Sequence, residues 1–519
     1  MGESAGNSRH IRRNTVVRNM QNIAAIDVGS NGIRMATARV GVDGQLQVID
    51  GVRVPVRLGA DAFSHGQITE PTMQSATDAF LRFRKTIGDL MVTRVRAVAT
   101  SALREARNSD VLIDRIERET GIVVEIISGE EESRLIHLAV NKVVDLGGKR
   151  AILVDIGGGS VEVTLSDGDN IVFSESYRMG TVRLLQKFAA EGRSRTSFNK
   201  MVKEYAEATR RRLDHEIGRK GVHLCIGTGG NIEEMGELAK RLYRRDSARL
   251  ISVKDLATLS DMLSGLTVAE RIARLNLRPD RADVIMPACV VLHSLAQTVG
   301  VREVLIPGIG LKEGVLWDIA AQASPRPPRR EQIWSSALHL AEKYELDKDH
   351  GSAVSDLALQ IFDQSAPLHG LGAEDRLVLE VAALLHDVGY FVNAIDHDRH
   401  GHYLLRHSFL FGLSERQQAV VANIVRYHRK TTPTLEHEHF KSLQPQDRLL
   451  VNKLCALLRL ADGIDTSHTG RVRHVTLSGA KSKWTLSLAG NGDLVLEKWT
   501  LTKRRAMFQD VFGVELTII

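Results

Sequence analysis

The chain has 519 residues, 43% hydrophobic and 25% charged, with 69 Lys and Arg against 63 Asp and Glu. That length is too great for one core and predicts two to four domains. The net charge of +6 is spread too thinly to mark a nucleic-acid binder and suits a polyanionic substrate equally well.

Residues 1–21 are polar and carry Arg9, Arg12, Arg13 and Arg18 without an apolar stretch, so they read as a disordered tail and not as a secretory signal. From Asn22 onward, short apolar runs alternate with longer amphipathic ones. Ile23–Val28, Ile33–Val40 and Leu46–Ile49 read as strands. Pro71–Leu90 has helical spacing (Met73, Ala76, Phe80, Phe83, Ile87), and the strand-like runs Val95–Ala99 and Val123–Ile127 each lead into a helix. The theme restarts at Ala151–Asp155, Ser160–Thr164 and Ile171–Glu175, which predicts two related α/β domains, 22–142 and 143–323, with the last helix free to return to the first. Val284–Val301 is the most apolar long stretch. Pro287, His293, Ser294 and Gln297 interrupt it, so it reads as a buried helix, and no membrane span is expected.

The proline-rich Ser324–Arg330 reads as a linker. Beyond it, 331–470 is expected to be a helical domain. Residues 471–519 are expected to form a small α+β domain, with strands at Val472–Leu477, Trp484–Leu488 and Leu494–Trp499 and a short helix near Phe508. Three distant cysteines, Cys225, Cys289 and Cys455, argue against a disulfide framework or zinc knuckle and for a reducing cytoplasm.

Three glycine-rich turns carry the chemistry: Asp27-Val-Gly-Ser-Asn31, Asp155-Ile-Gly-Gly-Gly-Ser160 and Gly227-Thr-Gly-Gly-Asn231. After a strand, such a turn lets backbone N–H groups converge on an anion, since glycine reaches the needed φ without a Cβ clash. Asp27 and Asp155 each supply a carboxylate able to hold hydrated Mg²⁺ beside phosphate oxygens. Any one of these turns alone is more often a plain hairpin, but all three in order are not readily a coincidence.

With these loops the chain resembles the actin, sugar-kinase and chaperone-ATPase superfamily. More narrowly, it is similar to the exopolyphosphatase/guanosine pentaphosphate phosphohydrolase family, over Ala25–Asn31, Ala99–Asn108, Ser128–Ile136, Val154–Glu162, Met179–Arg183 and Gly308–Gly314. The resemblance implies two ribonuclease-H-like domains around a cleft, water-driven cleavage of a phosphoanhydride, and a homodimer. It also implies a glutamate base, Glu132. Ser128-x-x-Glu131 fits a capping box, which gives Glu131 a structural task, and Glu132 lies about 100° further around the helix.

On this reading Asp27, Asp155 and Glu162 hold Mg²⁺. Ser30, Asn31, Gly157, Gly158, Gly159, Ser160, Gly229 and Gly230 cradle phosphates, and Arg34 and Arg104 clamp them. Gly32 stands where the family usually has Ser, which removes a hydroxyl donor. The expected substrate is inorganic polyphosphate, with guanosine pentaphosphate as the alternative. A sugar kinase or a non-catalytic phosphate sensor is a further reading of the fold, which the Glu132 motif disfavours.

In the helical region, His350, His386-Asp387 and Asp462 follow the order of HD-type metal phosphohydrolases, with His400, His402 and His428 as further candidates. The alternative is a set of polar core groups in an HD-like domain without metal. Arg210–Arg212, Arg329–Arg330 and Lys503–Arg505 read either as solvated charge runs, the commoner case, or as a path for a long polyanion.

Overall fold

The structure, a computed structural model, describes residues 21–41, 45–189, 200–205, 207, 221–321 and 329–519. The expected tail up to residue 20, the Arg210–Arg212 run and most of the Ser324–Arg330 linker lie outside the described residues. The chain packs as two compact units. The first is Met1–Asp145, Ile152–Val163 and Glu175–Arg326; the second is Leu146–Ala151, Thr164–Ser174 and Pro327–Ile519.

One five-stranded sheet has the order Leu46–Val54, Gly32–Val40, Gln21–Gly29, Arg94–Ala99, Val124–Ile126. Its first three strands pair antiparallel and the rest parallel. The six-stranded sheet runs Leu250–Ser252, Glu303–Leu305, Leu224–Thr228, Arg150–Ile156, Val161–Asp167, Asn170–Tyr177. Without its edge strand Leu250–Ser252, the second sheet repeats the strand order of the first, so the echo in the sequence is an echo in topology. Asp27 and Asp155 stand at equivalent points, near the carboxyl end of the first strand of each repeat. Open α/β sheets place ligands outside those strand ends.

The periodicity of Glu70–Asp89 buries Met73, Ala76, Phe80, Phe83 and Ile87 against the first sheet. Ile285–Thr298 is buried almost throughout, and Pro287 falls in its first turn, where no intrahelical N–H is needed. The helix Leu311–Ala321 packs across the first sheet. Asp318 accepts from Arg96 and Arg134 at 2.8 Å each, and Arg94 donates to the Ile319 carbonyl at 2.9 Å. This last helix of the second half thus lies on the first half, the return that the sequence left open.

The second unit is helical from Arg329–Lys343 to Pro445–Ile464 and ends in a three-stranded sheet, Val472–Ala480, Lys483–Gly490 and Glu515–Ile518. One apolar core runs from Ile333 to Leu516, so the last fifty residues share the helices' core. The strand expected at Leu494–Trp499 is instead the start of an 18-residue helix, Val495–Phe512. Six residues of alternating polarity fit either period. Burial of Glu497, Thr500, Leu501, Met507 and Phe508 shows that the longer helical period governs.

Candidate active site

The cleft of the first unit is a cavity of about 330 Å³ at the strand ends of both sheets. Asp27, Ser30, Asn31 and Arg34 line it from one half; Asp155, Gly157, Gly158, Ser160, Gly229 and Gly230 line it from the other. Gly229 has φ 95°, and a Cβ there would lie 2.9 Å from the Ile156 carbonyl, so this turn takes glycine for both reasons. The helix Gly230–Tyr243 starts at this loop, aiming its unpaired N–H groups at the cavity.

Glu132 enters from the first turn of Gly129–Val140, whose N-cap is Ser128. Ser128 accepts from the Glu131 N–H at 3.2 Å, but Glu131 does not complete the reciprocal box. Its carboxylate accepts instead from Arg134 at 2.6 and 2.9 Å and from Arg96 at 3.2 Å. Two guanidinium groups so near outcompete a single backbone N–H for a carboxylate. Glu131 therefore has a structural task, though a different one from that expected. Glu132 turns inward, 5% exposed, with Oε2 buried and 3.5 Å from Arg104 Nη2.

Ligand atoms of Glu132, Asp155 and Glu162 all lie within 4.8 Å of one another. Glu162 accepts from Ser176 at 2.8 Å while its other oxygen is buried without a hydrogen-bond partner. Thr228 donates to Asp155 at 2.5 Å, and Arg34 pairs with Asp27 at 3.3 Å. Burial, reinforced by Asp155, pushes Glu162 up to about 7. Burial, held back by the Thr228 hydrogen bond, pushes Asp155 up to about 6. Glu132 is raised well above the ordinary glutamate range by burial and then by Glu162, against the pull of Arg104. Asp27 is raised mainly by burial. Crowded, desolvated carboxylates with orphaned oxygens fit a divalent cation held by oxygen ligands, which would relieve both the burial and the mutual repulsion.

Two of the expected phosphate contacts lie elsewhere. Gly159 does not line the cavity: a Cβ there would run into Ser101 and Phe63, so this glycine serves close packing between the halves. Arg104 sits beside Glu132 and donates to the Ile127 carbonyl, which places it next to the expected base and not among the cavity-lining cations.

The sequence reading missed Arg53, Arg278, Arg281 and Lys312, all of which line the cavity. Arg53 pairs with Asp280 at 2.5 Å and donates to the Asn31 carbonyl at 3.2 Å. Its guanidinium borders the space left by Gly32, 3.3 Å from where a Cβ would stand. Arg281 donates to Asn231 at 3.0 Å, over a glycine, Gly230, whose missing side chain makes room for it. No motif flags the three arginines, because they come from an edge strand and a short helix far apart in sequence. Only Lys312 fell in a noted stretch, Gly308–Gly314.

His137, on the Glu132 helix, is 4% exposed, and burial pushes it down to about 4 from its ordinary 6.5. The folded chain thus keeps His137 neutral where the unfolded chain takes up a proton. Its stabilising contribution is present above pH 6.5 and is lost as pH falls toward 4. Denaturant unfolding should show up to about 3 kcal/mol lost across that window, and His137→Leu should flatten that part of the pH profile.

In the second unit, His350, His386 and Asp462 form one group of potential ligands, and Asp387 joins it closely, its Oδ2 3.5 Å from His386 Nε2. His428 lies in an adjoining group, whereas His400 and His402 belong to none among the described residues; His402 packs against His439. The polyanion path finds no support in the C-terminal run: Lys503 lies 3.6 Å over Trp499, Arg504 pairs with Asp462, and Arg505 donates to the Leu516 carbonyl. Arg330 pairs with Glu380.

The Ppx/GppA phosphatase family model matches residues 38–323, and that of Ppx/GppA phosphatase, domain III matches residues 334–505. A curated relative from Vibrio vulnificus, named guanosine-5'-triphosphate,3'-diphosphate pyrophosphatase, is 28% identical over 90% of this chain and 91% of its own. One of the same name from Photobacterium profundum is 25% identical over 84% of this chain and 85% of its own. Among solved structures, an exopolyphosphatase from Cytophaga hutchinsonii aligns at TM-score 0.55 and 29% identity, covering 58% of this chain and 98% of that one. A Ppx/GppA family member from Aquifex aeolicus aligns at TM-score 0.52 and 26% identity, covering 59% and 100%.

Proposed function

The chain belongs to the Ppx/GppA phosphatase family, hydrolases of phosphoanhydride bonds, and from that premise we propose that it is an exopolyphosphatase whose general base is Glu132. The observation that carries this reading is the juxtaposition of a buried, proton-hungry Glu132 with a cleft lined by Arg34, Arg53, Arg278, Arg281 and Lys312. These cations suit successive phosphates of a linear chain, and among the described lining residues none is aromatic to stack a base. Asp27, Asp155 and Glu162 are the residues that would hold Mg²⁺, which when bound polarises phosphoryl oxygens.

Glu132 orients a water and takes its proton as the water oxygen attacks the terminal phosphorus. The bridging P–O bond breaks, and orthophosphate separates from a chain one unit shorter. Arg104 holds Glu132 toward its ionised form. Gly158, Gly229 and Gly230, which line the cavity, offer backbone N–H groups as fixed donors for charge gathering on the phosphoryl oxygens. Arg53, beside Gly32, supplies a cationic donor near the place of the missing serine hydroxyl.

The second reading, cleavage of guanosine pentaphosphate at its 5′-γ-phosphate, is favoured by the names of the relatives that match nearly the whole chain. Orthophosphate release with Mg²⁺ from long polyphosphate and from guanosine pentaphosphate decides between them. A higher kcat/KM on polyphosphate is the expected result, and turnover of guanosine pentaphosphate alone overturns it in favour of the second reading.

A further inference from the structure

In the second unit, four imidazoles and two carboxylates converge from five segments of chain. His350 lies on Lys348–Gln364, His386 and Asp387 just past Ala373–Leu384, and His397 at the start of His397–His407. His428 follows Glu415–Arg426, and Asp462 lies on Pro445–Ile464. The four imidazoles are at most 3% exposed.

Each imidazole presents Nδ1 to an oxygen that can only accept, although His397 Nδ1 also lies 3.4 Å from Arg429 Nη1. The partners are Asp465 for His350 at 2.8 Å, Ala383 O for His386 at 2.7 Å, Ala394 O for His397 at 3.0 Å and Val425 O for His428 at 2.6 Å. Nδ1 therefore carries the proton, and Nε2 of every neutral ring is a bare lone pair. All four Nε2 atoms face Asp387. Its Oδ2 is 3.5 Å from His386 and 3.8 Å from His350. Its Oδ1 is 3.3 Å from His397 and 3.6 Å from His428. Asp462 Oδ1 stands 3.9 Å from His386 Nε2, and its other oxygen is held by Arg504.

Protein groups alone leave this arrangement unsatisfied. Nε2 of His350 and of His386 are buried without a hydrogen-bond partner. Nε2 of His397 and of His428 face each other at 3.3 Å, and Arg429 donates to the former from 3.3 Å. Lone pairs turned on one another and on a carboxylate are repulsive unless a cation stands among them.

We propose that this cluster is a dinuclear centre for divalent first-row transition cations. One ion is held by His350, His386, Asp387 and Asp462, the other by Asp387, His397 and His428, and Asp387 bridges them, one oxygen to each. An imidazole-rich set selects manganese, iron, cobalt or zinc over magnesium. The Nδ1 partners are the outer contacts that orient metal-binding imidazoles. A cavity of about 500 Å³ lined by His350, His386, Asp387, Tyr390 and His468 leaves one side of the first ion open to a small ligand.

The test is elemental analysis of the full-length, tag-free chain, loaded with Mn²⁺ and desalted in excess Mg²⁺ to keep the N-terminal cleft magnesium-filled. About two manganese ions per chain, with an exchange-coupled pair in the paramagnetic resonance spectrum of the wild type, is the expected result. His428→Gln should leave about one and Asp387→Asn none, and Asp465→Asn should weaken binding about 10- to 100-fold. Retention of no manganese by the wild type overturns the proposal. So does a single uncoupled ion in the wild type, or an ion count indifferent to Asp387→Asn.

Discussion

In Glu132→Gln, orthophosphate release falls by about a hundredfold or more at saturating substrate, the size of a general-base contribution. The substitution keeps the side chain's shape and removes its charge and its capacity to take a proton. KM should change little, because the cavity's cations contact the phosphates and Glu132 serves the water. Glu131→Gln is the contrasting variant. Its carboxylate pairs with Arg134 of its own helix and ties Arg96 of the neighbouring strand to that helix, so its loss should lower thermal stability while kcat stays within about tenfold. Rates on polyphosphate and guanosine pentaphosphate, set beside melting curves, separate the two roles. Undiminished turnover by Glu132→Gln would sink the assignment of the base.

Gly314→Ala should be among the most damaging single-atom additions in the chain. Gly314 lies on Leu311–Ala321 against the Leu135 carbonyl of Gly129–Val140, and a Cβ there would fall far inside van der Waals contact of that oxygen. A flexible side chain could swing aside, but a helix backbone can yield only by parting the two helices. The expected cost is about 1–3 kcal/mol or more, read as a lowered denaturation midpoint. Because the displaced helix is the one that presents Glu132, kcat should fall too, with displacements of about 1 Å costing up to a hundredfold. Gly265→Ala, where nothing stands within 4 Å of the new atom, is the control that should leave both readings intact.

Much of this protein is legible from the sequence because its signals are local. The two strand–turn repeats opening at Asp27 and Asp155, the helix Glu70–Asp89 and the buried helix around Val284–Val301 each follow from periodicity and glycine placement within a short window. That Glu131 and Glu132 face different surroundings also follows locally, since Ser128 marks the helix start and the helical turn sends adjacent residues to different sides. Where the local signal was short it misled. Leu494–Trp499 alternates like a strand, yet the contacts of Leu501 and Phe508 make it a helix.

Only the tertiary structure decided which charges share a space. The Arg53, Arg278 and Arg281 side chains, scattered over more than two hundred residues, meet at one cavity, while Arg104 and Gly159, inside matched motifs, pair with Glu132 and serve the packing instead. The same holds for His397 and His428, which no spacing rule ties to Asp387. Electrostatic coupling and burial fall off with distance in space, and distance in space between remote segments is set by how sheets and helices stack, which a one-dimensional pattern does not encode.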